Sequence, residues 1–200
     1  PGMGVLPDEV QTPTTRVLPI VGNKIIWDEN LSLPIRPMVG VIGVTPKGDP
    51  IPCGSPGDHG GNMDTAEIGA GCRVNLPVNV EGAMLHIGDC HARQADGEVC
   101  VSGVECRAVV TVRVDVKKNT GLERPYLEKD NRIMFLGSHE DLYTAAQIAV
   151  RDAVRYLMKV KNLSFEEAYL LASAMVEVRI SQLVDPLLTI RAEIDQSLLY

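Results

Sequence analysis

The sequence predicts a mainly β fold with α elements (α+β), a sandwich-like or barrel-like core closed by two C-terminal helices packed as a hairpin. Three observations predict it. Residues 38–44 form an apolar run between Pro37 and Pro46, of a length that suits a strand buried on both faces. Val110, Val112, Val114 and Val116 alternate with Thr111, Arg113 and Asp115, the period of a half-buried strand. After residue 138 the apolar period changes to three and four, as amphipathic helices require.

Pro7, Pro13, Pro19, Pro34 and Pro37 make residues 1–37 connecting chain with short edge strands at 17–20 and 23–27. Gly40 and Gly43 mark close backbone approach within the strand at 38–44. Residues 45–64 hold nine glycines and prolines and read as a long loop. Loops of that length are uncommon unless they build a binding site, so this one is taken as the first wall of a site. Residues 70–77 and 81–88 read as strands meeting at a turn near Asn79, and residues 99–116 as the clearest strand. Residues 117–131 read as a polar connection with a turn at Asn119-Thr120-Gly121, and residues 132–137 as a further strand.

Leu142, Ala146, Ala149, Ala153, Leu157 and Val160 supply the stripe of a first helix, with Ser138 and Asp141 spaced to cap its start. Ser164 and Glu167 have capping-box spacing for a second helix, whose stripe is Phe165, Ala168, Ala172, Met175 and Val176. A final strand is expected at 187–192. The whole reads as one domain over 1–200, with a β-rich catalytic part at 1–137 and the helical hairpin and last strand at 138–200.

With 26 acidic against 19 basic residues the net charge is -7, which repels a phosphate backbone; nucleic acid is excluded as a partner. No apolar run reaches the ~18 residues that span a bilayer, so no membrane partner is expected and the cytoplasm is the default location. Cys53, Cys72, Cys90, Cys100 and Cys106 are odd in number and form no C-x-x-C pair, which argues for reduced thiols.

Chemistry is concentrated in two glycine-punctuated segments. Residues 56–64 and 85–92 carry His59, His86 and His91, three of the four histidines, with Asp58, Asp64 and Asp89. Asp89 and His91 are two apart and emerge on one side of an extended segment, a spacing that suits chelation. With His59 and Asp64 they make a mixed nitrogen and oxygen set for a divalent metal ion such as zinc or calcium. The alternative for His59 is a turn histidine bonded to backbone. His86, on a strand, reads equally well as a packed or surface ring, and His139 as solvent-facing.

These segments resemble the acetamidase/formamidase family of short-chain amide hydrolases. The resemblance starts at Leu33-Pro34-Ile35-Arg36-Pro37-Met38-Val39-Gly40-Val41-Ile42-Gly43-Val44 and runs through Pro56-Gly57-Asp58-His59-Gly60-Gly61-Asn62-Met63-Asp64. It continues from Gly88-Asp89-Cys90-His91-Ala92-Arg93-Gln94-Ala95-Asp96 to Cys100, and recurs weakly at Arg179-Ile180-Ser181-Gln182. It implies hydrolysis of formamide, acetamide or a similar small amide to carboxylate and ammonia, on the family's β-rich fold. Family members are longer, with a β-rich segment upstream, so the resemblance implies an N-terminal segment that is missing here or lies on a separate chain. A homo-oligomer is expected from the apolar helix faces and the many loops.

Amide hydrolysis needs a nucleophile, a group that polarises the carbonyl oxygen, and an acid for the departing nitrogen. A metal could supply the first two. Asn62, with the amides of Gly60 and Gly61, is a candidate oxyanion donor, and Asp96 or Glu98 a candidate acid. A metal-free route would use Cys90 or Ser102 as nucleophile with His91 as base. The competing reading is a noncatalytic module that binds a small amide or a metal.

Overall fold

A computed structural model describes residues 1–200. Near the N-terminus β1 (Ile20–Val21), β2 (Lys24–Ile26) and β3 (Ser32–Pro34) form a small antiparallel sheet. Next come β4 (Met38–Gly43), β5 (Pro56–Gly57), β6 (Gly60–Asn62), β7 (Arg73–Asn75), β8 (His86–Arg93), β9 (Val104–Glu105), β10 (Tyr126–Lys129) and β11 (Arg132–His139). Two helices, α1 (Leu142–Lys161) and α2 (Phe165–Met175), precede β12 (Val176–Gln182) and β13 (Leu188–Asp195). The strands form two antiparallel five-stranded sheets, ordered β5-β6-β4-β8-β9 and β12-β13-β11-β10-β7.

The alternation of side chains along β11 explains the layering. Ile133 joins Ile190, Ala192 and Ile194 of β13 against the helices, where Ala145, Ala149, Ala153, Val154 and Leu157 of α1 are buried with Ala168 and Ala172 of α2. Met134 and Leu136, on the opposite face, join Leu127, Ile42, Met63 and Ile68 between the two sheets. Helices, one sheet and the other sheet therefore stack as three layers with two cores. Alanines on α1 let its backbone settle onto the sheet. At Gly137 a Cβ would collide with the Ala145 carbonyl and lie 2.8 Å from the Ala149 nitrogen. The second core positions the site, because β8, which packs on it through Ile87, carries Asp89 and His91, and Asp64 directly follows its Met63.

Several expectations change. The loop at 45–64 contains the β5–β6 hairpin, which pairs with β4. Residues 81–84 are a turn, so β8 starts only at His86. The strand expected at 99–116 reduces to β9, and residues 107–121 are exposed throughout and belong to no strand. Alternation supplies two faces, but a strand also needs a neighbour for its backbone groups, and here none is present. The cap of α1 is Asp141, which accepts from Thr144 N–H at 2.8 Å, while Ser138 lies inside β11. The capping box of Ser164 and Glu167 forms as expected. β10 falls in the stretch read as a polar connection, and β12 was read in part as the tail of the second helix.

Candidate active site

Five carboxylates and one imidazole converge at one end of β4. Asp64, Asp89 and His91 bring ligand atoms within 4.8 Å of one another, as do His91, Glu98 and Glu105, and also Asp64, Glu98 and Asp185. The three sets share members and form one continuous cluster. Gly40 of β4 makes room for it, since a Cβ there would collide with Asp64 Oδ1 and lie 2.8 Å from Asp89 Oδ2. Gly103 does the same for His91, whose ring lies where a side chain would be. Asp64, Asp89 and Glu98 all sit in the left-handed backbone region, with φ of 39°, 54° and 44°. Strain of this kind, about 1–3 kcal/mol per residue, is held where the surroundings over-determine it, and it clusters at functional sites.

His91, 1% exposed, has a defined tautomer. Gln94 donates from Nε2 to the Asp64 carbonyl at 2.6 Å, which fixes the amide and turns its Oε1 toward the imidazole. His91 Nδ1 therefore donates to that oxygen, at 2.8 Å. Nε2 then faces carboxylates, 3.2 Å from Glu105 Oε2, 3.4 Å from Asp89 Oδ1 and 3.9 Å from Asp64 Oδ1. It is buried without a hydrogen-bond partner, and so is Asp64 Oδ1. An orphaned imidazole nitrogen and carboxylate oxygen, with the other ring nitrogen tied to a polar side chain, fit a divalent cation. The donor set fits the same ion.

Asp64, Glu98, Asp185 and Glu105 are poorly solvated and crowded by other acids, which raises their pKa values. Burial, and then the neighbouring Asp185, push Asp64 up to about 7. Glu98 is pushed up to about 8 by burial and then by Asp64. Burial raises Asp185 to about 6, against hydrogen bonds with Asp64 and Asn62 that pull it down. Glu105 is raised as well, mainly by burial.

Of the residues expected at the site, Asp64, Asp89, His91 and Glu98 meet in the cluster, and Asn62 touches it through Asp185. His59 stands apart from these ligand sets. It is carried on the β5–β6 hairpin, where Gly60 faces Gly43, three positions along β4 from Gly40 and so about 10 Å away. Its ring packs over Gly57 and Gly61 and lies 6.3 Å from the His86 ring. Burial, and then His86, lower its pKa. Its Nδ1 is buried without a partner, so the expected backbone bond of a turn histidine is not made through that atom. Asp96 points to Arg191, which donates to it at 2.6 Å. Cys90 makes no hydrogen bond to His91. It lines a neighbouring cleft of about 450 Å³ with Ile87, Asp89, Cys106, Ala108 and Val110. Ser102 donates to Glu105 at 3.1 Å and so borders the cluster. His139 ends β11, its Nδ1 accepting from Asp141 N–H at 2.9 Å.

Sequence reasoning missed Asp185, Gln94 and the supports behind them. Gln182, fully buried, accepts from Val184 and Asp185 N–H at 2.8 and 3.0 Å and so sets the turn that presents Asp185. The loop bearing Glu98 is tied to the same place, with Gly97 N–H donating to the Ser181 carbonyl and Leu183 N–H to the Gly97 carbonyl. Arg191, 2% exposed, braces both by donating to Asp96, to the Ile180 carbonyl and to Glu193. The weak motif at residues 179–182 was the one available signal for this support.

The sequence model of the acetamidase/formamidase family matches residues 51–191, which hold every residue of the cluster. The chain belongs to the acetamidase/formamidase family. A formamidase of Methylophilus methylotrophus is 30% identical over 151 residues, 65% of this chain and 37% of that protein. The crystal structure of an acetamidase from Bacillus halodurans is 42% identical and superposes with a TM-score of 0.96, over 99% of this chain and 67% of that one. A predicted acetamidase/formamidase from Thermoanaerobacter tengcongensis is also 42% identical, with a TM-score of 0.92, over 99% and 66%. The chain thus spans little more than a third of the Methylophilus formamidase it matches. The expected mainly β fold with two C-terminal helices is the fold of these neighbours.

Proposed function

We propose that the chain hydrolyses the C–N bond of a small linear amide of the formamide or acetamide class, giving carboxylate and ammonia, with a divalent cation assisting. The observation that carries this reading is His91 Nε2, buried, unpaired and facing three carboxylates, in a chain of the acetamidase/formamidase family. Asp64, Asp89 and His91 would hold the cation, with Glu105 and Asp185 at its border. When bound there, the ion supplies a Lewis acid for the amide carbonyl and acidifies water. Zinc suits the imidazole and calcium the carboxylates.

The chain's own residues do the rest. Gln94 holds His91 in the tautomer that leaves Nε2 toward the acids. Glu98, pushed up to about 8 by burial and Asp64, would be the acid that protonates the departing nitrogen. Asn62 steadies Asp185 beside it. The reading extends to one domain over residues 1–200, a homo-oligomer and a cytoplasmic setting. Exposed Phe165, Tyr169 and Leu170 on α2 support association, and no helix is long and apolar enough to cross a membrane.

The test is ammonia release from formamide and acetamide by purified protein, as isolated, after chelation, and with zinc or calcium restored. Release that chelation abolishes and one of the ions restores is the expected result. Cation binding without release at high amide concentration would leave the noncatalytic binding module in its place. Release that persists through chelation would remove the metal from the reaction.

A further inference from the structure

We propose that Cys90 and Cys106 form a cross-strand dithiol, a modification site that closes to a disulfide by exchange with a small disulfide of the glutathione class. His91 lies opposite Glu105 in the β8–β9 register, so the antiparallel count sets Cys90 opposite Cys106. The Cys106 N–H donates to the Cys90 carbonyl at 2.9 Å. A hydrogen-bonded antiparallel pair has Cα atoms about 5.5 Å apart, inside the window of roughly 4.4–6.8 Å that a disulfide spans. Both side chains line the same cleft of about 450 Å³, so a small reagent reaches them. Both are partly buried.

The remaining cysteines are set apart by their surroundings. Cys53 and Cys100 are exposed, and the Cys100 thiol donates to the Ser102 carbonyl. Cys72 packs against the core between the sheets, and burial pushes it up to about 11.

The chemistry balances without a further oxidant. The thiolate of one cysteine attacks the small disulfide, its S–S bond breaks, and one small thiolate leaves and takes up a proton. The thiolate of the other cysteine then attacks the protein sulfur of the mixed disulfide, forming the bond between Cys90 and Cys106 and expelling the second small thiolate. Two electrons pass from the protein dithiol to the small disulfide. Asp89 and His91 flank Cys90, and Glu105 adjoins Cys106, so the new bond fixes the separation of the two strands that carry these cluster residues.

The full chain, reduced and freed of reductant, is incubated with oxidised glutathione and then denatured. Non-reducing peptide mapping should join the peptide of Cys90 to that of Cys106, with no glutathione left on those two positions, whatever glutathione the exposed Cys53 and Cys100 take up. Cys100→Ser should leave this join unchanged, while Cys106→Ser should leave glutathione on Cys90 and no join. A join that involves Cys53, Cys72 or Cys100 instead, or glutathione on both cysteines of the wild-type chain with no join, overturns the proposal. These readouts do not depend on amide turnover, so failure of the dithiol and failure of the amidase reading are distinguishable.

Discussion

Gln94 connects chemistry to packing at the level of single residues. It spends one amide end on the Asp64 backbone and the other on His91, so replacing it frees the imidazole to rotate. Gln94→Leu should weaken cation binding by about 10- to 100-fold, the usual cost of losing a group behind a metal ligand, with circular dichroism unchanged. Titration calorimetry with zinc or calcium checks it; unaltered affinity would show that the tautomer is fixed by other means. Asp64, Asp89, His91 and Glu98 were legible because residue type, glycine punctuation and spacing coincide in short segments. Asp185 was not, because an acid becomes a site residue only through the fold that delivers it. His59 carried the same signals as His91 but lies apart from the acid cluster for a geometric reason. Three strand positions separate its hairpin from the acids, and the sequence shows no such distance.

At the scale of elements, local chemistry was readable where it is self-contained. Ser164 and Glu167 satisfy each other's backbone donors, so four residues announced the start of α2. Ser164→Ala should cost about 1 kcal/mol and lower the melting temperature, while Glu167 alone cannot restore the cap. Urea unfolding followed by circular dichroism measures this, and an unchanged midpoint would remove the cap from the stability of the fold. β12 was hidden because Met175 and Val176 continue the helical stripe with no glycine or proline between them, and the helix gives way to strand at that boundary. Pairing with β13 decides the matter, over residues 176–182. The valine alternation at 110–116 failed for the converse reason, since a strand pattern without a neighbouring strand remains a loop.

For the molecule as a whole, the acidic cluster links stability to protons. Asp64 and Glu98 have folded values of about 7 and 8, above the 3.8 and 4.5 they take when free. The folded state therefore holds more protons than the unfolded one between those limits, and stability is lost as pH rises through the folded values. His59, lowered from 6.5, works the other way but only below that pH. In chelator, the melting temperature should fall as pH rises from 6.5 to about 8. Added zinc or calcium should raise it most at the upper end, because binding at Asp64 displaces the proton of that ligand. Scanning calorimetry at both pH values decides it, and a melting temperature that rises with pH in chelator would contradict the cluster's charge state.

The exposed stretch at 107–121 has a consequence for covalent continuity. Arg107, Arg113, Lys117 and Lys118 all lie in it, where trypsin finds accessible backbone. β7 precedes this stretch and β10 follows it, yet the two are paired, and Arg191 reaches back across it to Asp96. A single nick should thus leave two fragments clamped together, separating on a denaturing gel while eluting as one species from a sizing column. Asp185 would still stand among acids that belong to the other fragment.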